Sequence, residues 1–173
     1  MAKGIDFARL SLKDALDLAI LIEDEARERY EEFVDQMEIH HTPEAAAFFR
    51  TMAGNEIKHG AELAIQRRQL FRDEPSAMDR SMLWDVEAPD YADARAFMSV
   101  RQAMEVALQA EIKAHDYFAE ALKQVANPAT RRLFEDLRDE ELVHRDLVRE
   151  ELAKLPPDPG INPDDYADEP VAQ

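Results

Sequence analysis

The chain has 173 residues, with 38 acidic side chains against 21 basic ones, a formal net charge of −17 and no cysteine. That length fits one domain with a core of its own. The charge argues against nucleic acid and anionic membranes, which are bound through basic patches, and the missing thiols exclude disulfides, thiolate-held zinc, iron–sulfur clusters and cysteine nucleophiles within these residues. A field of this sign attracts cations, although it serves solubility equally well. Met1 to Leu12 lacks the apolar run of a signal peptide, and no stretch approaches the roughly 20 apolar residues of a spanning helix. The expected location is therefore cytoplasmic.

Only four glycines occur, and the stretches between the prolines are rich in Ala, Leu, Glu, Arg and Met, all good helix formers. The composition predicts an all-α fold. A first helix spans about 11–39, with Ser11 as its cap and Asp14 three residues on. Its apolar stripe runs Leu12, Leu16, Ala19, Ala26, Tyr30, Phe33, Met37 in steps of three and four, and the position missing from that series is Glu23. The helix ends in Glu38-Ile39-His40-His41, where Glu38 is out of phase with the stripe and reads as solvated.

Thr42-Pro43-Glu44 supplies a capping side chain, a proline at the first helical position and an early carboxylate for a second helix over 43–72. Its stripe is Phe49, Met52, Leu63 and Leu70, with Glu56 and His59 in the gap. The segment 73–90, carrying Pro75, Trp84 and Pro89, is long enough to cross the molecule. A third helix is predicted over 91–126, capped by Asp90, with the stripe Phe97, Val100, Met104, Leu108, Ala114, Phe118, Leu122 and Val125, and Glu111 in its gap. Asn127-Pro128 opens a fourth over 128–154, whose stripe of Leu133, Leu137, Val148, Leu152 and Leu155 is interrupted by Glu141 and His144. The tight connections make each successive pair an antiparallel hairpin. A bundle over 1–155 and an acidic, Pro-rich tail over 156–173 complete the organisation.

Every helix thus carries ionisable residues in the middle of its core stripe. Each half of the chain reads Glu, then Glu-x-x-His: Glu23 with Glu56 and His59, Glu111 with Glu141 and His144. The Glu-x-x-His spacing puts both side chains one turn apart on one helix face. Four carboxylates buried together without compensation are not viable, since each lone buried ion costs at least several kcal/mol. They must take up protons or bind cations. Two ferrous ions would cancel the four charges while the histidines bind as neutral imidazoles, and this donor set suits iron or manganese better than soft metals. A Glu from each of two helices and Glu-x-x-His from the other two is the ligand pattern of ferritin-like di-metal bundles. Tyr30, one core step below Glu23, either flanks such a centre or packs the core. His115 neighbours Ala114 and is the weakest candidate, and the methionines read as core filler.

The segments Glu23-Asp24-Glu25-Ala26-Arg27-Glu28-Arg29-Tyr30, Glu56-Ile57-Lys58-His59, Glu111-Ile112-Lys113-Ala114 and Glu140-Glu141-Leu142-Val143-His144 resemble the rubrerythrin branch of the ferritin-like superfamily, over about residues 11–154. The resemblance implies a ferritin-like four-helix bundle of two hairpins joined by a crossover. It also implies a di-iron centre that reduces peroxide or dioxygen with electrons from an external donor protein, in a homodimer or larger assembly. The implied metal ligands are Glu23, Glu56, His59, Glu111, Glu141 and His144, with manganese or zinc as substitutes for the two iron ions. Two features depart from the family pattern. The four-cysteine iron site that rubrerythrins carry cannot be built from these residues, and the extra glutamate usual one turn after the third-helix ligand is Ala114 here. The alternatives are a ferroxidase, with ferrous iron as substrate, and a metal-stabilised interaction bundle without catalysis.

Overall fold

The computed structural model describes residues 5–83, 86, 88–95 and 97–157. Among these residues there are four long helices and no strand: α1 Leu12–Ile39, α2 Pro43–Phe71, α3 Val100–Ala121 and α4 Pro128–Lys154. Pairs α1/α2 and α3/α4 pack as antiparallel hairpins, and the hairpins meet through α2 against α3 and α1 against α4. Most of the expected tail, and Trp84 in the crossover, lie outside the described residues.

The helix boundaries follow local chemistry. Ser11 caps α1, its hydroxyl accepting from the Asp14 amide at 3.1 Å. Asn127 caps α4 by accepting from the amides of Ala129 and Thr130, with Pro128 at the first helical position. Thr42 does not cap α2 with its side chain. Its hydroxyl turns back to donate to the Met37 carbonyl at 3.1 Å, an acceptor it shares with the Thr42 backbone amide at 2.9 Å. The reversal between the two helices uses a left-handed His41, φ 59°.

The third helix begins later than the sequence predicts. Ser99 and Gln102 form a reciprocal capping box, and Asp90 precedes only a 3-10 turn at Tyr91–Asp93. Phe97, expected in the core, has φ 62° and is 59% exposed, so a helix cannot run through it. The helix also closes early, with a turn over Leu122–Gln124 before Val125. In its first half the buried face is offset from the expected stripe, with Ala103, Ala107 and Ala110 buried and Val100, Met104 and Leu108 only half-buried, while Ala114, Phe118, Leu122 and Val125 are buried as expected. The small face is chosen because α1 and α2 already supply bulk there; Phe33, Phe49 and Met52 form one cluster with Ala103 and Ala107. On α2, Leu70 is exposed rather than buried.

The crossover climbs along α1 and is held at intervals. Lys13 donates to the Pro75 carbonyl at 2.8 Å, Arg80 pairs with Glu28 at 2.5 and 2.6 Å, Arg29 donates to the Pro89 carbonyl, and Gln36 donates to the Ala94 carbonyl at 3.1 Å. Arg29 also lies over the Tyr91 ring, 3.2 Å from its centroid.

The apolar core is split in two. One cluster joins the start of α1, the end of α2, the end of α3 and the start of α4, around Leu16, Ile22, Leu63, Phe118 and Phe134. The other joins the end of α1, the start of α2, the end of the crossover and the start of α3 around Tyr30, Phe33, Phe49 and Met52. Between them, on every helix, lies the ionisable layer.

Candidate metal centre

Glu23 on α1, Glu56 and His59 on α2, Glu111 on α3, and Glu141 and His144 on α4 all sit in this layer. All four carboxylates are buried, Glu56 at 2% exposure and Glu111 at 0%. Two groups of donor atoms form, each with every atom within 4.8 Å of the others: Glu23, Glu56 and His59, then Glu111, Glu141 and His144. His59 Nδ1 lies 3.5 Å from Glu56 and 3.9 Å from Glu23, while His144 Nδ1 lies 3.4 Å from Glu111 and 3.7 Å from Glu141. The two imidazoles stack on each other with centroids 4.7 Å apart and planes inclined by 8°. The internal repeat read in the sequence is thus a repeat in space, joined at the paired rings.

The electrostatics of this layer follow from burying carboxylates close together. Burial pushes the Glu23 carboxyl well above its usual range, and the neighbouring Glu56 carboxylate pushes it further. Glu141 is raised to about 8 by burial, with Glu111 adding to the effect and His144 opposing it. Burial lowers the His144 pKa, but the Glu111 and Glu141 carboxylates facing its Nδ1 outweigh it and lift the ring to about 10.

Hydrogen bonding gives the same message. Both carboxylate oxygens of Glu56 and of Glu111, and Oε2 of Glu23 and of Glu141, are buried without a hydrogen-bond partner. Buried polar atoms are nearly always satisfied, so a cluster of bare acceptors needs a reason. Cations provide one: hard oxygen donors with one imidazole in each group suit iron or manganese, and the residues fit a pair of such ions.

The remaining sequence candidates lie elsewhere. Tyr30 is buried in the apolar cluster, its ring stacked on Phe49 at 6.0 Å. His115 pairs with Asp116 at 3.0 Å. Glu38 is exposed and pairs with Arg50. Ala114 is buried and offers no donor where a further carboxylate was conceivable. One residue escaped the sequence reading. Glu140 Oε1 lies 3.5 Å from His59 Nε2, and Glu140, His59 and His144 form a third group of donor atoms within 4.8 Å. Its i, i+4 relation to His144 was the available signal, but Glu140 is absent from the core stripe because it is partly exposed.

A family model described as Rubrerythrin matches residues 14–152. An uncharacterised conserved protein from Magnetospirillum magnetotacticum MS-1 has a similar structure, with 32% identity, TM-score 0.66, and coverage of 88% of this chain and 100% of that one. A hypothetical protein from Pyrococcus furiosus shares the fold at 22% identity and TM-score 0.52, over 87% of this chain and 95% of that one. No protein of curated function matches the chain.

Proposed function

The chain belongs to the rubrerythrin family of ferritin-like di-iron proteins, and from that premise we propose that it is a non-haem di-iron oxidoreductase. Its substrate is hydrogen peroxide or dioxygen, and its electrons come from an external donor protein. The observation that carries this reading is the pair of matched carboxylate–histidine groups with bare buried oxygens. Glu23, Glu56 and His59 would hold one ion, and Glu111, Glu141 and His144 the other. When bound, two iron ions supply two reducing equivalents and Lewis acidity at one locus; two electrons and two protons convert a peroxide into two waters.

The protein's own contribution is positional. The Glu-x-x-His pairs on α2 and α4 aim both donors from consecutive turns into the same layer. The two apolar clusters exclude water from above and below, so charges in the layer act in a low dielectric. The stacked histidines fix each other's ring planes, which keeps Nδ1 of each directed at its own carboxylates. The strongly acidic chain draws cations toward the layer.

Ala114 favours a second reading. Without a further carboxylate beside Glu111, the six donors form a symmetric set, which suits a ferroxidase that oxidises ferrous iron as substrate. Titration with ferrous iron under anaerobic conditions, followed by peroxide, separates the two. The oxidoreductase retains two irons per chain that re-reduce and react again. Continued turnover of excess iron into ferric mineral would sink that reading and favour the ferroxidase, and absence of bound iron would sink both.

A further inference from the structure

The third donor group lies on the outer side of the two histidines, at the seam between α2 and α4. A cavity of about 180 Å³ opens there, lined by His59, Glu62, Gln66, Asp136 and Glu140 with Leu63, Leu133 and Leu137. Its acidic side chains sit toward solvent, Glu140 being 42% exposed. The His59 ring lines it, and that side chain retains only 10% exposure. His59 therefore has two faces. Nδ1 looks inward to Glu56 and Glu23, and Nε2 looks outward to Glu140 at 3.5 Å.

We propose that this cavity is the port through which divalent cations enter the centre, with Glu140, His59 and His144 forming an outer capture site that passes the ion to the inner groups. The inference rests on the metal-binding reading given above and adds a route and a residue to it. A neutral imidazole has one lone pair, so His59 cannot hold one ion at Nδ1 and another at Nε2 together. His144 is shared with the second inner group in the same way, so the outer site is complete only while both inner groups are empty, which makes it a station for the first ion on the way in. Once an ion sits at Nδ1, Nε2 carries the ring proton and Glu140 is placed to accept it, an arrangement that orients metal-binding histidines generally. Glu140 is a positioning residue in that second state. The charge on Glu62, Asp136 and Glu140 accelerates capture of a dication at low ionic strength.

The test is anaerobic stopped-flow uptake of Co(II) by the full chain, followed by its absorbance. Wild-type protein should take up two ions per chain. Glu140→Gln should still take up two, at a rate lower by about tenfold, and Asp136→Asn should give a smaller slowing that added salt removes. Glu151→Gln, an exposed change at the far end of α4, should leave the rate unaltered. An unchanged rate in Glu140→Gln overturns the port. Loss of one ion per chain in that variant also overturns it, because Glu140 would then be a permanent ligand. No Co(II) uptake by the wild-type chain would instead overturn the metal-binding reading on which the proposal stands.

Discussion

Glu56 and Glu111 keep both carboxylate oxygens buried with no donor to satisfy them, so in the metal-free protein they work against the fold. Glu111→Gln takes one carboxylate out of the group it shares with Glu141 and His144. It should lower iron uptake below two per chain while the metal-free protein still folds. Calorimetry and metal analysis on one sample check both halves. The pH dependence has a definite sign. Glu141 moves from an ordinary 4.5 to about 8 in the fold, and Glu23 moves in the same direction. The folded state therefore binds more protons than the unfolded one, and stability falls as pH rises through this window. Metal-free protein should melt progressively lower between about pH 4.5 and 8. A Tm that climbs over that range in urea or heat scans would contradict the assigned burial.

At the scale of elements, Arg67 ties three pieces together. It donates to Asp17 on α1 at 2.7 Å and to the carbonyls of Arg72 and Glu74 at 2.8 and 2.5 Å, closing α2 and launching the crossover. Burial alone would raise the Asp17 pKa, but Arg67 and Lys13 overcome it and hold the carboxylate below its usual range. That contribution is present at neutral pH and is lost as pH falls through the acid range. Arg67→Ala leaves Asp17 to Lys13 alone and releases the Arg72 and Glu74 carbonyls to water, so it should lower the Tm modestly. Hydrogen exchange should accelerate over residues 72–80 more than in the helix centres. The alanine face of α3 makes a separate point. Ala107 is buried in one cluster with Phe33 and Phe49, so Ala107→Leu should destabilise by about 1–3 kcal/mol through overpacking. Met104→Leu, at a half-buried position, should be nearly neutral in the same urea titrations.

Taken whole, the molecule is two apolar cores with a charged layer between them, and the layer sets the coupling of stability to metal. An ion that binds only the folded state stabilises it by about 2.7 kcal/mol per site at a hundredfold excess over Kd. Iron-loaded protein should therefore melt above the metal-free form at pH 7. The gap should narrow as pH falls, because protons compete for the same carboxylates. Equal melting temperatures for the two forms at neutral pH would contradict the charge-compensation argument. Among the described residues no helix is long and apolar enough to cross a membrane.

The four helices, their pairing and the six in-phase donors were legible in the sequence, because periodic apolar stripes and cap residues are local signals and an ionisable residue within such a stripe stands out against them. The start of α3 was not: Ser99–Gln102 outcompeted Asp90, and the left-handed backbone of Phe97 comes from how the crossover lands. The choice of the alanine face over Met104 and Leu108 was equally hidden. Hydrophobicity ranks the larger residues first, but the space left by Phe33, Phe49 and Met52 admits only small ones. Thr42 spent its hydroxyl on α1 instead of α2, a choice set by where the Met37 carbonyl came to lie. Glu140 showed only its i, i+4 relation to His144 in the sequence, and its approach to His59 from another helix needed three dimensions. The sequence by itself determined which residues would be buried against their chemistry. Tertiary structure alone decided which nitrogen faces which carboxylate and where the layer opens to solvent, since both depend on packing between helices distant in the chain.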